Sequence, residues 1–255
     1  MKKHKIGIAL GGGGARGFAH LGVLKALAEK DIYPDIISGT SAGAIAGVLI
    51  ADGKSPEEVF SLLKDRGFYN YSRISLPKNG LLKLDGLKKE LEKNVSVKDI
   101  SDLEKPLIVA ATNMNSGKIE YFTEGPVGEI ILASASIPVL FSPVEINGSF
   151  YSDGGIMRNL PIEPLTGKCK NIIAVNVSPV RENHDLNNLI KISMRTFQLS
   201  INSTMSYSKD NCDLLIEPEG LEEFDILDVK HAKKMFDLGY EYTKKMDFKL
   251  KKNFF

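Results

Sequence analysis

Ile36-Ile37-Ser38-Gly39-Thr40-Ser41-Ala42-Gly43-Ala44 is an apolar strand that runs into a G-x-S-x-G turn and straight on into a helix of small residues. Gly39 and Gly43 lack a Cβ, so the backbone can turn sharply and the following helix can pack close beneath it. Ala42, Ala44, Ala46 and Gly47 keep that approach open. A turn of this kind exposes a serine hydroxyl, which makes Ser41 the first candidate nucleophile. Upstream, Ile6-Gly7-Ile8-Ala9-Leu10 reads as a buried strand, followed by four glycines at Gly11 to Gly14 and then by Phe18, Leu21, Leu24 and Leu27-Ala28 at helical spacing. The first fifty or so residues therefore form a βαβα unit, for which a right-handed crossover is expected.

Further buried strands are expected at 107–111 and 172–177, with another at 214–216. Helices are expected at 56–63, 85–93, 126–135, 186–208 and 229–246, where apolar residues recur every three or four positions. Ser55-Pro56 has the form of an N-cap followed by proline at the first helical position. Residues 118–122 and 144–151, the latter turning at Asn147-Gly148, read as hairpin strands. Strands alternating with helices imply an α/β fold with a mainly parallel central sheet covered on both faces.

The chain has 255 residues, 43% hydrophobic and 25% charged, which suits a single domain over 1–255. Its 33 basic and 32 acidic side chains leave a formal charge of +1, so no global field points to nucleic acid as a partner. Cys169 and Cys212 match no metal or redox spacing, and two unpaired thiols suit a reducing compartment. Lys2, Lys3 and Lys5 precede an apolar stretch too short for a secretory signal, and no run approaches the roughly 18 apolar residues of a membrane span. The expectation is a soluble, cytoplasmic protein.

Two readings of Gly12-Gly13-Gly14-Ala15-Arg16-Gly17 are open. Backbone N–H groups at a helix N-terminus bind negative charge, and Gly12, Gly14 and Gly17 satisfy the G-x-G-x-x-G of a dinucleotide site. That reading wants an acid at the end of the second strand, where Gly39-Thr40-Ser41 stands instead. The other reading makes the loop an oxyanion hole facing Ser41, because adjacent parallel strands share one C-terminal edge. For a base, His184 and His231 would preserve the Ser, Asp, His order of an α/β-hydrolase, while neither sits in a recognisable motif. His20, one turn into the first helix, reads as a packed histidine. Asp153-Gly154-Gly155, after the hairpin-like Phe150-Tyr151, is the stronger source of a base, although such a triplet is also a common turn.

Taken together, Gly12 to Gly17 with Arg16, Gly39-Thr40-Ser41-Ala42-Gly43 and Asp153-Gly154-Gly155 resemble the patatin-like phospholipase family. So do Arg16-Gly17-Phe18-Ala19-His20-Leu21-Gly22-Val23-Leu24, Ala110-Ala111-Thr112-Asn113, Ala133-Ser134-Ala135-Ser136-Ile137-Pro138 and Asn159-Leu160-Pro161, so that the likeness covers about 5–180. The resemblance implies a three-layer α/β/α fold and a bacterial-type serine acyl-hydrolase acting on lipid esters, phospholipid or lysophospholipid, without metal or cofactor. It implies a Ser-Asp dyad in which Ser41 attacks and Asp153 accepts the proton, an oxyanion hole from the Gly13 and Gly14 amides, and a loop-ordering Arg16. Gly12, Gly17, Gly39, Gly43, Gly154 and Gly155 support the motifs. An unperturbed aspartate near 3.9 is a feeble base, so such a site must disfavour charge on Asp153.

Beyond about residue 180 the chain matches nothing that carries over, and 181–255 is expected to complete the fold. Residues 230–255 hold eight lysines against three acids, a local charge of +5, with phenylalanines interspersed. This end reads either as a basic amphipathic contact to the inner membrane surface or as a packed helix with a solvated lysine face. Residues 66–84, with Phe68, Tyr69 and Tyr71 among glycine and proline, read either as a flap or as a surface excursion.

Overall fold

The computed structural model describes residues 3–66, 73–74, 82–182 and 186–248. β1 (His4–Leu10) leads through a 3-10 turn at Gly14–Gly17 into α1 (Phe18–Ala28), and β2 (Ile36–Thr40) passes through Ser41 into α2 (Ala42–Ala51). Every residue of α2 is buried, which explains its alanines and glycines: a helix packed on all sides needs no polar face. α3 (Pro56–Arg66) begins with a capping box, in which the Glu58 N–H donates to Ser55 Oγ (3.3 Å) and the Ser55 N–H donates to Glu58 Oε2 (2.8 Å).

β3 (Arg73–Ile74) and β4 (Leu82–Lys83) form a two-stranded antiparallel ribbon inside the 66–84 excursion, whose aromatic part lies outside the described residues. α4 (Asp85–Asn94), β5 (Leu107–Asn113), β6 (Lys118–Phe122) and α5 (Val127–Ala135) follow. The hairpin of β7 (Val144–Ile146) and β8 (Ser149–Asp153) turns at Asn147 and Gly148, both with positive φ (50° and 77°), as a tight two-residue turn requires. β9 (Cys169–Val175), α6 (Leu189–Ser203), α7 (Ser206–Asp210), β10 (Leu214–Ile216) and α8 (Ala232–Lys245) complete the described elements.

The main sheet runs β10-β9-β1-β2-β5-β8-β7, with β6 also paired to β5. Pairing is parallel from β10 to β5 and antiparallel where β6, β7 and β8 join. β2 and β5 are buried along their whole length and β1 from Ile6 onward, so both sheet faces are covered, the α/β/α arrangement expected from alternating strands and helices. One register positions the site. Consecutive β5 residues Ala110 and Ala111 pair with Thr40 of β2 and Asp153 of β8. Thr40 precedes Ser41, so the end of β2 and the end of β8 meet on adjacent residues of one strand.

One expectation needs correction. The helix expected over 186–208 is two helices: Asn188 caps α6 by accepting from the Lys191 N–H (3.0 Å), and Thr204, donating through Oγ1 to the Ile201 carbonyl (2.9 Å), ends it before Met205 is buried. At the C-terminal end, the packed-helix reading describes α8. α8 buries Met235, Phe236 and Gly239, packing so closely on α1 that a Cβ at Gly22 would overlap the Phe236 carbonyl, and the Phe236 ring lies 4.9 Å from that of Phe60. Residues 249–255 lie outside the described residues. The cysteines are free, and burial raises both thiols, Cys169 to about 11.

Candidate active site

Ser41 caps α2 with φ 54° and ψ −121°, a backbone conformation that costs a non-glycine residue energy. The surroundings hold it there. Its N–H donates to Ser134 Oγ (2.9 Å), and Ser134 Oγ in turn donates to the Ala110 carbonyl (2.6 Å). A Cβ at Gly43 would run into the Leu10 carbonyl, so glycine is what lets α2 start directly beneath the end of β1. Gly39 packs on Gly43, and Gly17 lies against Ala42, which brings the starts of α1 and α2 together.

The glycine loop lies against this elbow: a Cβ on Gly12 would stand 3.0 Å from Ser41 Cβ. Asn159 fastens the loop, with Oδ1 accepting from the Gly12 N–H (3.1 Å) and Nδ2 donating to the Gly12 carbonyl (3.3 Å). Ser178 Oγ donates to the same carbonyl (2.7 Å). Gly14, at φ 58°, rests on Ile226, whose carbonyl accepts from the Ala15 N–H (2.7 Å). The buried Arg16 donates to the Phe224 carbonyl through Nε (2.9 Å) and Nη2 (2.7 Å) and to the Pro179 carbonyl through Nη1 (2.9 Å), tying the loop to two later segments. Among the described residues nothing accepts from the N–H groups of Gly13 and Gly14, which leaves two donors in the cleft that holds Ser41.

Asp153 ends β8 and is fully buried. Its Oδ1 accepts from the Gly155 N–H (2.8 Å), while Oδ2 completes no hydrogen bond. Burial pushes this carboxyl up to about 7, against the opposing influence of the Ser41 hydroxyl and the Gly155 N–H. The hydroxyl is thus near enough to favour the charged form without closing a bond to Oδ2. Gly154 fits where a Cβ would press on the Ala110 carbonyl, which keeps the Asp153 turn against the end of β2.

Gly12, Gly13, Gly14, Ser41 and Asp153 line one narrow cleft together with Ile137 and with Phe197, Gln198 and Ile201 of α6. It encloses only about 10 Å³, room for no more than a water molecule. The histidines are elsewhere. His20 is buried, lowered to about 4 by that burial, and its neutral ring donates through Nε2 to the Gly11 carbonyl (2.7 Å). His231 is exposed and bonded to Asp228 (2.6 Å) at the start of α8, and His184 lies outside the described residues. Ser134, Asn159 and Ser178 are functional supports that the sequence assigns no role, although Ser134 and Asn159 stand in segments that resemble the family.

Residues 8–166 match the family model described as patatin-like phospholipase. The chain is 34% identical over 165 residues to an uncharacterized NTE family protein of Mycobacterium tuberculosis, an alignment covering 64% of this chain and 46% of that protein. It is 26% identical over 269 residues to lysophospholipase NTE1 of Kluyveromyces lactis, covering 93% of this chain and 19% of that one. The chain thus spans less than half the length of these curated relatives. The crystal structure of VipD from Legionella pneumophila superposes with a TM-score of 0.54 at 17% identity, over 95% of this chain and 66% of that one, a likeness of fold.

Proposed function

This chain belongs to the patatin-like phospholipase family, and from that premise we propose that it is a serine acyl-hydrolase cleaving carboxylic esters of phospholipids or lysophospholipids. The observation that carries this reading is the convergence of the Ser41 hydroxyl, the buried Asp153 carboxyl and the two unused N–H groups of Gly13 and Gly14 on one cleft. Ser41 Oγ bonds to the ester carbonyl carbon as its proton passes to Asp153. The carbonyl oxygen takes the negative charge and is held by the Gly13 and Gly14 amides, each donor of this kind contributing about 2.7 to 4 kcal/mol. The ester C–O bond then breaks, the alcohol leaves with the proton from Asp153, and water repeats the sequence on the acyl-enzyme. Burial supports Asp153 in this role by raising its proton affinity toward neutrality, where a general base works best.

A lipid ester is far larger than the cleft, so the side chains of Phe197 and Ile201, which line it with Ser41, give way to admit the acyl chain. Among the described residues no helix is long and apolar enough to cross a membrane. Contact with a lipid surface, proposed here as peripheral and at the cytoplasmic face, falls to α6 rather than to α8. Leu189, Ile192 and Leu199 form an exposed apolar stripe along α6, and 186–208 contains Lys191 and Arg195 but no acid. The test is a panel of lipid esters offered to the wild type and to Ser41→Ala. Fatty-acid release by the wild type alone supports the reading; equal release by both removes Ser41 from the chemistry.

A further inference from the structure

A second cavity of about 430 Å³ adjoins the Ser41 cleft, within the usual range for small-molecule sites. The two are adjacent, with Arg16, Pro179, Val180, Gln198 and Ile226 lining both. Ile190, Met194 and Leu227 give the larger space apolar walls. Its cations, Arg16, Arg181, Lys191 and Arg195, are unequal, and Lys191 is not free. Arg16 has each of its three nitrogens bonded to a carbonyl oxygen, and Arg181 is paired with Glu223 (2.9 Å). Arg195 of α6 is half-buried at the same cavity, and among the described residues its guanidinium has no hydrogen bond, ion pair or ring contact. Two acids, Glu222 and Asp225, also line the space; Asp225 accepts from the Leu227 N–H (2.9 Å) and its charge acts on Arg16.

A partly buried guanidinium with five donors and no acceptor is suited to an oxyanion, and phosphate matches its planar fork. Arg195 and Gln198 are three apart on α6, about 4.5 Å along its axis, and share a face, and Gln198 lines the Ser41 cleft as well. Only the three carbons of glycerol join an acyl ester to a phosphate, so a phosphate site has to adjoin the Ser41 cleft, as this cavity does. We propose that this cavity is the headgroup subsite, in which Arg195 binds the phosphate of a glycerophospholipid while its ester reaches Ser41. The inference rests on the acyl-hydrolase reading and deepens it: the phosphate, beyond the ester, is what the chain selects.

Lysophosphatidylcholine and a monoacylglycerol of the same acyl chain are compared on the wild type, Arg195→Gln and Arg195→Lys. The ratio of their kcat/KM values falls about ten- to a hundredfold in Arg195→Gln, the scale of a charge-assisted hydrogen bond, and is partly restored in Arg195→Lys. An unchanged ratio overturns the proposal. A binding arm stands apart from catalysis: the Ser41→Ala protein is titrated with a single-chain alkylphosphocholine below its micelle concentration, with inorganic phosphate as competitor. Binding weakened at least tenfold by adding Arg195→Gln supports the subsite even if the wild type hydrolyses neither ester, a result that would fail the acyl-hydrolase reading alone. Binding indifferent to Arg195, or inorganic phosphate competing at equal concentration, overturns the assignment to lipid.

Discussion

Replacing Asp153 by asparagine should make the protein less active and, above neutral pH, more stable. The folded-state carboxyl is raised to about 7 by burial, whereas an aspartate in the unfolded chain titrates near 3.9. Between these values the folded state holds a proton that the unfolded state has released, so stability falls as pH rises. The stabilising contribution is fully present below about 3.9 and gone above about 7. Linkage between pH 5 and pH 8 amounts to about 2 to 3 kcal/mol for this one group. The substituted amide would carry no charge at either pH, and its side-chain oxygen can still accept from the Gly155 N–H that now bonds Oδ1. Measured by urea unfolding or thermal melts, the wild type should lose that amount relative to Asp153→Asn across the interval, a difference of about 5 to 10 °C in Tm for a chain of this size. Parallel pH responses of the two proteins would show that Asp153 titrates normally, and the case for a buried base near neutrality would fail with it.

Ser41→Gly should abolish ester turnover yet raise Tm by about 2 to 4 °C, because glycine adopts the φ 54° backbone of this position without strain; a fall in Tm would mean that the elbow is not strained. Gly14→Ala places a methyl against the Ile226 carbonyl at φ 58° and should destabilise by about 2 to 3 kcal/mol with loss of activity, read by unfolding and ester assay. Arg16→Met strips three donors from the carbonyls of Phe224 and Pro179 and should lower Tm by about 6 to 12 °C. The pH profile of kcat/KM should rise through about pH 7 as Asp153 ionises and level off above it.

The opening βαβα unit was legible because its signals are local: an apolar strand, glycines, then small residues at helical spacing. The strands at Leu107–Asn113 and Cys169–Val175 were legible for the same reason, being continuous apolar runs. Ser41 and Asp153 each stood in a recognisable turn, but what puts them in one cleft is the pairing of Ala110 with Thr40 and Ala111 with Asp153, a long-range register that no local pattern encodes. Asn159 and Ser178 escaped assignment because they act through the backbone of a loop nearly 150 residues or more away. The break between α6 and α7 was hidden because the apolar spacing continues through Thr204, and only the Thr204 side-chain bond to the Ile201 carbonyl and the burial of Met205 mark the end of α6.

The most direct test of the central claim is covalent capture with a fluorophosphonate probe, followed by peptide mapping of the adduct in the wild type, Ser41→Ala and Asp153→Asn. The account predicts one adduct on Ser41, absent in Ser41→Ala and formed much more slowly in Asp153→Asn, with the rate in the wild type rising as pH passes 7. An adduct on any other residue, or labelling in Asp153→Asn at the wild-type rate, would contradict it.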